Sequence, residues 1–261
     1  MKPTFCFAIA AICGIFASSA NADTVAWQPS VNMYQGSTVE TFVSTNGTLA
    51  SALNASGDTS GDEDTTVNGV AFIGAGNGVA VGTTETITIN GGTDNVGSFG
   101  DGEFTSNGPI FHLIRGGVFG VNSVTLSGLQ AGETYEIQVF SNDARTSRNN
   151  TTQLGLGDGT GVLAPLVSLE SNNSPADGSD SSDAEPNAGD SILGTFTSTG
   201  VDVTFNTFGT GDGGATWSQG AGQSLVNGVQ LRIIPSTVPE PGSLALIGMG
   251  VFGLVARRRR K

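Results

Sequence analysis

Residues Val121–Phe140 read VNSVTLSGLQAGETYEIQVF. Val121–Leu126 is a strand by its alternation, Ser127–Gly132 is a connection carrying Gly128 and Gly132, and Thr134–Phe140 alternates again. With a period of two, Tyr135, Ile137 and Val139 fall on one face and Glu136, Gln138 and Phe140 on the other. One face is apolar and the other mostly polar, as in a half-buried strand. Two such strands joined by a short glycine-bearing corner predict an all-β chain.

The rest of the sequence extends that reading. Val39–Val43 is expected to be an early strand, and Glu85–Asn90 places Ile87 and Ile89 on one face. Val67–Ile73 reads as one continuous strand, with Asn68-Gly69 embedded in it. Ile192–Phe196 and Val201–Asn206 suggest a hairpin around Ser198-Thr-Gly200, and Leu225–Ile234 a long final strand. Leu49–Leu53 is compatible with one helical turn, and Ile110–Ile114 with a strand or a short helix. Gly57–Thr66 reads as an acidic loop, Gly155–Gly161 as a tight turn region before a strand over Val162–Leu169, and Ser171–Asp190 as a mobile surface loop. No repeat with a period of 20–50 residues is visible, which argues against a solenoid.

Composition bounds the chemistry. The chain has 261 residues, 40 of them glycine, and its two cysteines, Cys6 and Cys13, both lie near the N-terminus. Within 23–237 the bases are Arg115, Arg145, Arg148 and Arg232, against 22 acids; 4 minus 22 is −18. Phosphate backbones would be repelled, so nucleic acid is not an expected partner. Without cysteine, and with His112 as the single histidine, the usual four-ligand zinc sites are not available. His112 sits among apolar neighbours, where a half-buried structural role outweighs catalysis. No catalytic residue is assigned and an enzyme is not expected, a secreted hydrolase being the least favoured reading.

Two weaker candidates remain. Asp58, Asp62 and Asp64 crowd one short stretch, and Asp177, Asp180 and Asp183 recur every third residue. Hard oxygen ligands on loops suit calcium, although neither run matches an EF-hand loop. Calcium is therefore the one cofactor considered. Arg145 and Arg148 follow the Thr134–Phe140 strand, and with Trp217 as a stacking platform they could grip sugar hydroxyls. Pairing of both arginines with local carboxylates is the plainer alternative.

The two ends speak of export. Lys2, the apolar run Phe5–Ala17 and the small residues Ser18–Ala22 form a signal-peptide pattern, with Ala20-Asn21-Ala22 as the cleavage site and Asp23 as the mature N-terminus. Residues 238–261 read VPEPGSLALIGMGVFGLVARRRRK. From Pro241 to Ala256 there is no charge, and those 16 residues reach roughly 24 Å as a helix, short of the ~30 Å hydrocarbon core. Arg257–Arg260 and Lys261 would stay cytoplasmic. Pro239 and Pro241 keep the approach extended and accessible.

Val238-Pro239-Glu240-Pro241, a short apolar helix and a terminal Arg cluster resemble the PEP-CTERM sorting domain. The resemblance implies recognition and processing by an exosortase, a membrane transpeptidase. An ordinary retained membrane anchor is the alternative. The corner Leu126-x-Gly-Leu129-x-x-Gly-x-x-Tyr135 resembles that of fibronectin type III-like sandwiches, in which a tyrosine hydroxyl bonds back to the chain. The order of motifs over residues 25–234 resembles exported jelly-roll domains related in form to galactose-binding-like sandwiches.

The expected organisation is thus a signal peptide over 1–22, a single antiparallel β-sandwich, jelly-roll-like, over 23–237, and a sorting segment with a short transmembrane helix over 238–261. The expected function is that of a non-enzymatic exported protein of the cell envelope or extracellular matrix. A module binding exopolysaccharide is the alternative. Expected partners are the exosortase-type enzyme and the membrane.

Overall fold

The computed structural model describes residues 23–33, 41–55, 57–58, 61–62, 64–75, 79–95, 109–114, 116–143, 153–161, 164–170, 189–210, 216–220 and 224–235. In chain order the strands are β1 (Ala26–Trp27), β2 (Val31–Asn32), β3 (Thr48–Asn54), β4 (Gly57–Asp58), β5 (Gly61–Asp62), β6 (Thr65–Val67), β7 (Val70–Gly74), β8 (Val79–Val81), β9 (Thr86–Asn90) and β10 (Thr93–Asn95). The helix α1 (Pro109–Ile114) follows. Then come β11 (Gly117–Phe119), β12 (Ser123–Ser127), β13 (Thr134–Ser141), β14 (Gln153–Leu156), β15 (Val167–Glu170), β16 (Asp190–Thr197), β17 (Val203–Thr210), β18 (Trp217–Gln219), β19 (Leu225–Val226) and β20 (Gly228–Ile234).

Two large sheets dominate. One has eight strands in the order β1-β16-β13-β20-β3-β7-β6, with β2 also on β16. The other has seven, β15-β14-β17-β12-β9-β8, with β18 also on β17. A small sheet, β10-β11-β19, and the pair β4-β5 complete the described ladders. All pairings are antiparallel except β3 with β7, which run parallel. The sequence reading of a purely antiparallel body is corrected there.

The all-β expectation holds, and the alternation works as the sequence predicts. Tyr135, Ile137 and Val139 of β13, with Leu53, Val229 and Leu231, meet Ile87, Ile89, Val124, Leu126 and Phe205 of the other sheet in one buried core. Each fully buried side chain of this size contributes about 1.5–3 kcal/mol. A second apolar cluster lies on the outer face of the eight-stranded sheet. There Phe140 and Ala52 pack against Met33, Val43, Phe72 and the α1 residues Ile110, Leu113 and Ile114. This second layer explains why β13 is buried on both faces along most of its length.

Several local expectations are overturned, among them the strand expected over Val162–Leu169, which begins only at Val167. Leu49–Leu53 is strand, not a helical turn, because β3 is held between β20 and β7. Val67–Ile73 is two strands: Asn68 and Gly69 take φ of 50° and 74° and turn β6 back onto β7. The segments around Ser198–Gly200 are not a hairpin, since β16 pairs with β13 and β17 with β12, so the loop crosses between the sheets. The final strand breaks at Asn227, which separates β19 from β20. Ile110–Ile114 resolves to helix. The acidic stretch 57–66 contains the β4–β5 pair and the start of β6. Residues 171–188, read as a loop, lie outside the described residues, as do residues 39–40 of the early strand expected at 39–43. Its remaining residues, Thr41–Val43, form a 3-10 turn and a bend, with Phe42 and Val43 packed on the outer apolar cluster.

Candidate functional site at the tail-bearing end

β20 runs toward residue 235, so Ile234 marks the end of the sandwich from which the C-terminal segment leaves. The ladder places that end without ambiguity. Ile234 pairs with Thr134, and Thr134 with Thr197. Thr48 of β3 pairs with Ile233. On the second sheet Ser127 pairs with Thr86, and Leu126 with Val203. The loops 44–48, 82–86, 128–134 and 198–203 therefore gather at one end.

Three devices fasten this end. The first is the tyrosine corner expected from the sequence. The Gln130 backbone N–H donates to the Tyr135 hydroxyl at 3.0 Å, and that hydroxyl donates to Glu85 Oε1 at 3.2 Å. Thr84 Oγ1 donates to Glu85 Oε2 at 2.6 Å and Gln130 Nε2 to Oε1 at 3.4 Å. Glu85 is only 2% exposed. Burial by itself would raise its carboxyl, but the hydrogen bonds from Thr84, its own backbone, Tyr135 and Gln130 outweigh that and hold it below the usual carboxylate value. Burial, with the Glu85 charge beside it, pushes the Tyr135 phenol up, so it remains a donor at neutral pH. Gly128 has φ of 74°, and a Cβ there would lie 2.1 Å from the Thr84 carbonyl oxygen. Only glycine lets the two loops approach this closely.

The second device clamps residues 44–47 onto the outer face of β13 and β20. Glu136 and Arg232 are register partners, as are Gln138 and Gln230. The Arg232 guanidinium donates to the carbonyls of Asn46, Thr45 (3.2 Å) and Gly47 (3.1 Å). Glu136 accepts from the Ser44 hydroxyl and, at 3.2 Å, from Asn46 Nδ2. Gln138 Oε1 accepts the Ser44 N–H at 2.9 Å, and Gln230 Nε2 donates to the Ser44 carbonyl at 3.1 Å. Burial draws the Arg232 pKa down while Glu136 opposes the shift. Arg232 Nη1 and Gln230 Oε1 are buried and have no hydrogen-bond partner among the described residues.

The third device holds Asp23. Its Oδ2 accepts the Thr199 N–H at 2.9 Å, the neighbouring Val25 N–H donates to the Asp158 carbonyl at 2.8 Å, and Asp23 is 8% exposed. The loop it grips is itself cross-bonded. Gly132 N–H donates to the Ser198 carbonyl at 2.7 Å and Ser198 N–H to the Glu133 carbonyl at 2.9 Å.

The residues singled out from sequence fall elsewhere. Trp217 lies on β18, opposite Thr210, at the far end of the seven-stranded sheet. It is half-buried, and its ring would meet a Cβ on Gly155 at 2.8 Å. Asp58 and Asp62 sit on β4 and β5, and Asp64 Oδ1 accepts the Gly74 N–H at 3.0 Å. Among the described residues no group of three or more His, Cys, Asp or Glu is placed to hold a metal ion. His112 is half-buried, as expected, but on the helix α1, with its carbonyl accepting from Asn54 Nδ2. A hollow of about 120 Å³ opens between Gln28, Pro29, Val31, Phe42, Gln138 and Leu193. It is well below the ~300 Å³ at which small-molecule pockets begin. Arg145, Arg148, Asp177, Asp180, Asp183, the cleavage residues Ala20 and Ala22, and the motif Val238, Pro239, Glu240 and Pro241 lie outside the described residues. Among the described residues no helix is long and apolar enough to cross a membrane.

Sequence reasoning missed Glu85, Glu136, Gln138, Gln230 and Arg232 as a structural set. One signal was present: Arg232 is the only base placed within a predicted strand of this acidic body.

The last described strand, β20, ends at Ile234, and the sequence beyond it runs on to an apolar, base-terminated segment. Residues 237–260 match the model of the PEP-CTERM protein-sorting motif. The motif marks the chain as an exported protein targeted to an exosortase and, through that sorting, to the cell envelope. No curated protein and no solved structure matches the chain.

Proposed function

We propose that this chain is a non-enzymatic envelope or matrix protein, made as a precursor with a signal peptide over 1–22 and a sorting segment over 238–261. The body is read as a jelly-roll-like sandwich that serves as cargo. The observation that carries this reading is the PEP-CTERM motif, which starts at residue 237, two residues beyond Pro235. The apolar run inside it would hold the precursor in the membrane while the exosortase cuts at the extended Val238–Gly242 strip. Mass spectrometry of the mature chain tests both events. The expected ends are Asp23 and a residue within Val238–Gly242, and recovery of Arg260 in the mature protein would instead establish a retained anchor.

A second reading, a module that binds exopolysaccharide, draws support from Trp217, whose ring is partly open on the edge strand β18. Glycan-array binding that is lost on Trp217→Ala would favour it, and binding to no glycan would sink it.

A further inference from the structure

Both termini of the sandwich leave from the same end. Asp23 is tied to Thr199 by its carboxylate, and Ala26 pairs with Thr195 on β16. Ile234 lies across Thr134 from Thr197. Two strand spacings separate β16 from β20, roughly 10 Å. The segments that enter and leave the body are therefore close neighbours on one face, although more than 200 residues of chain separate them.

We propose that the precursor stands end-on against the lipid surface, with loops 44–48, 128–134 and 198–203 toward the bilayer and the far end of the strands pointing away. This rests on the reading of residues 1–22 and 238–261 as membrane-directed. The N-terminal tether leaves little slack. Residues 18–22 alone connect the apolar run ending at Ala17 to the fixed Asp23, a reach of at most roughly 20 Å. Between Ile234 and the apolar run beginning at Leu244 the chain reaches at most roughly 34 Å. β13, with eight residues, carries the far end roughly 27 Å from the tethered one. Laying the sandwich on its side would make both tethers bend around the same edge. Val201, at the tip of the crossing loop, exposes 53% of its surface, so the end facing the lipid carries an apolar side chain at its tip.

The chain supplies its own reporters. Val31 is 52% exposed, matched to Val201, but it pairs with Ser191 at the opposite end of β16. In a full-length background with Cys6→Ser and Cys13→Ser, single Val201→Cys and Val31→Cys variants carry one fluorophore each. They are reconstituted in phosphatidylethanolamine–phosphatidylglycerol vesicles containing a headgroup-nitroxide lipid. Several-fold stronger quenching at position 201 than at position 31 is the expected result. Equal quenching, or stronger quenching at 31, in protein that floats with the vesicles overturns the orientation while leaving the membrane reading intact. Failure to float overturns the membrane reading itself, and the orientation with it. If position 201 is unquenched in vesicles that lack the processing enzyme yet cross-links to that enzyme in cells, that end is an enzyme-docking face and the proposal fails.

Discussion

Replacing Tyr135 by Phe removes one oxygen atom from the tail-bearing end and leaves its packing in place. The ring keeps its stacked neighbour Phe196, 5.4 Å between centroids, so no cavity opens. What is lost is the acceptor for the Gln130 N–H and a donor to the Glu85 carboxylate. A neutral hydrogen bond contributes about 0.5–1.5 kcal/mol and one to a charged group about 1.5–3 kcal/mol. The two share one hydroxyl, so the expected loss is about 2–3 kcal/mol. Urea unfolding of the body should show a lower midpoint at unchanged slope, since the surface exposed on unfolding is the same. The substitution also has a pH signature. Glu85 is held below its unfolded value of about 4.3, so its contribution is present above that pH and lost as pH falls through the folded value. In Tyr135→Phe one of the bonds lowering that value is gone, so the stability difference from wild type should shrink as pH falls below the unfolded value and through the folded one. A variant within about 0.3 kcal/mol of wild type at pH 7, or a difference that does not change with acidification, would refute the corner as a charge-assisted unit.

Three other substitutions follow from the same geometry. Gly128→Ala forces a Cβ toward the Thr84 carbonyl at a left-handed φ and should cost at least about 1–3 kcal/mol, read as a lowered Tm. Arg232→Met keeps the stem but leaves the carbonyls of residues 45–47 and the Glu136 charge without their cation. A loss of about 3 kcal/mol is expected, with hydrogen exchange accelerated at Ser44 more than at Val139. Asn227→Ala removes the side-chain amide that donates to the carbonyls of Ile114 (3.1 Å), Gly116 (2.7 Å) and Asn142 (3.2 Å). It should destabilise by about 2–4 kcal/mol in urea titration, and a loss below about 0.5 kcal/mol would show that solvent replaces it.

The corner at 126–135 was legible because it is local. Its glycines, its leucines and Tyr135 lie within ten residues, and turn chemistry acts over that range. The inward faces of β9, β12 and β13 were legible for the same reason, because period two reports a face from a single strand. Partners are not written that way. The alternation in β16 and β17 says which side chains are buried, but not that the Ser198–Gly200 loop crosses from one sheet to the other. Leu49–Leu53 carries good helix formers, and only its pairing with β20 and β7 makes it strand. Glu136, Gln138, Gln230 and Arg232 occupy the alternate positions that normally face water. Residues 44–47 cover them, a cover more than 80 residues away in sequence. The sorting segment was legible at once, since its three parts are contiguous.

The position of β20 also has a mechanical side. On the proposed function the segment that follows it is the one by which the chain would be drawn into the membrane and presented for processing, and β20 is an interior strand, flanked along its length by β13 and β3. A pull on residue 235 along the strand axis loads the hydrogen bonds of both ladders together, in shear, and they must fail as a group. Had the tail been joined to an edge strand such as β6, the same pull could have opened one ladder bond by bond, like a zipper. The topology therefore lets the tail be tugged, held and cut without unravelling the body to which it is attached.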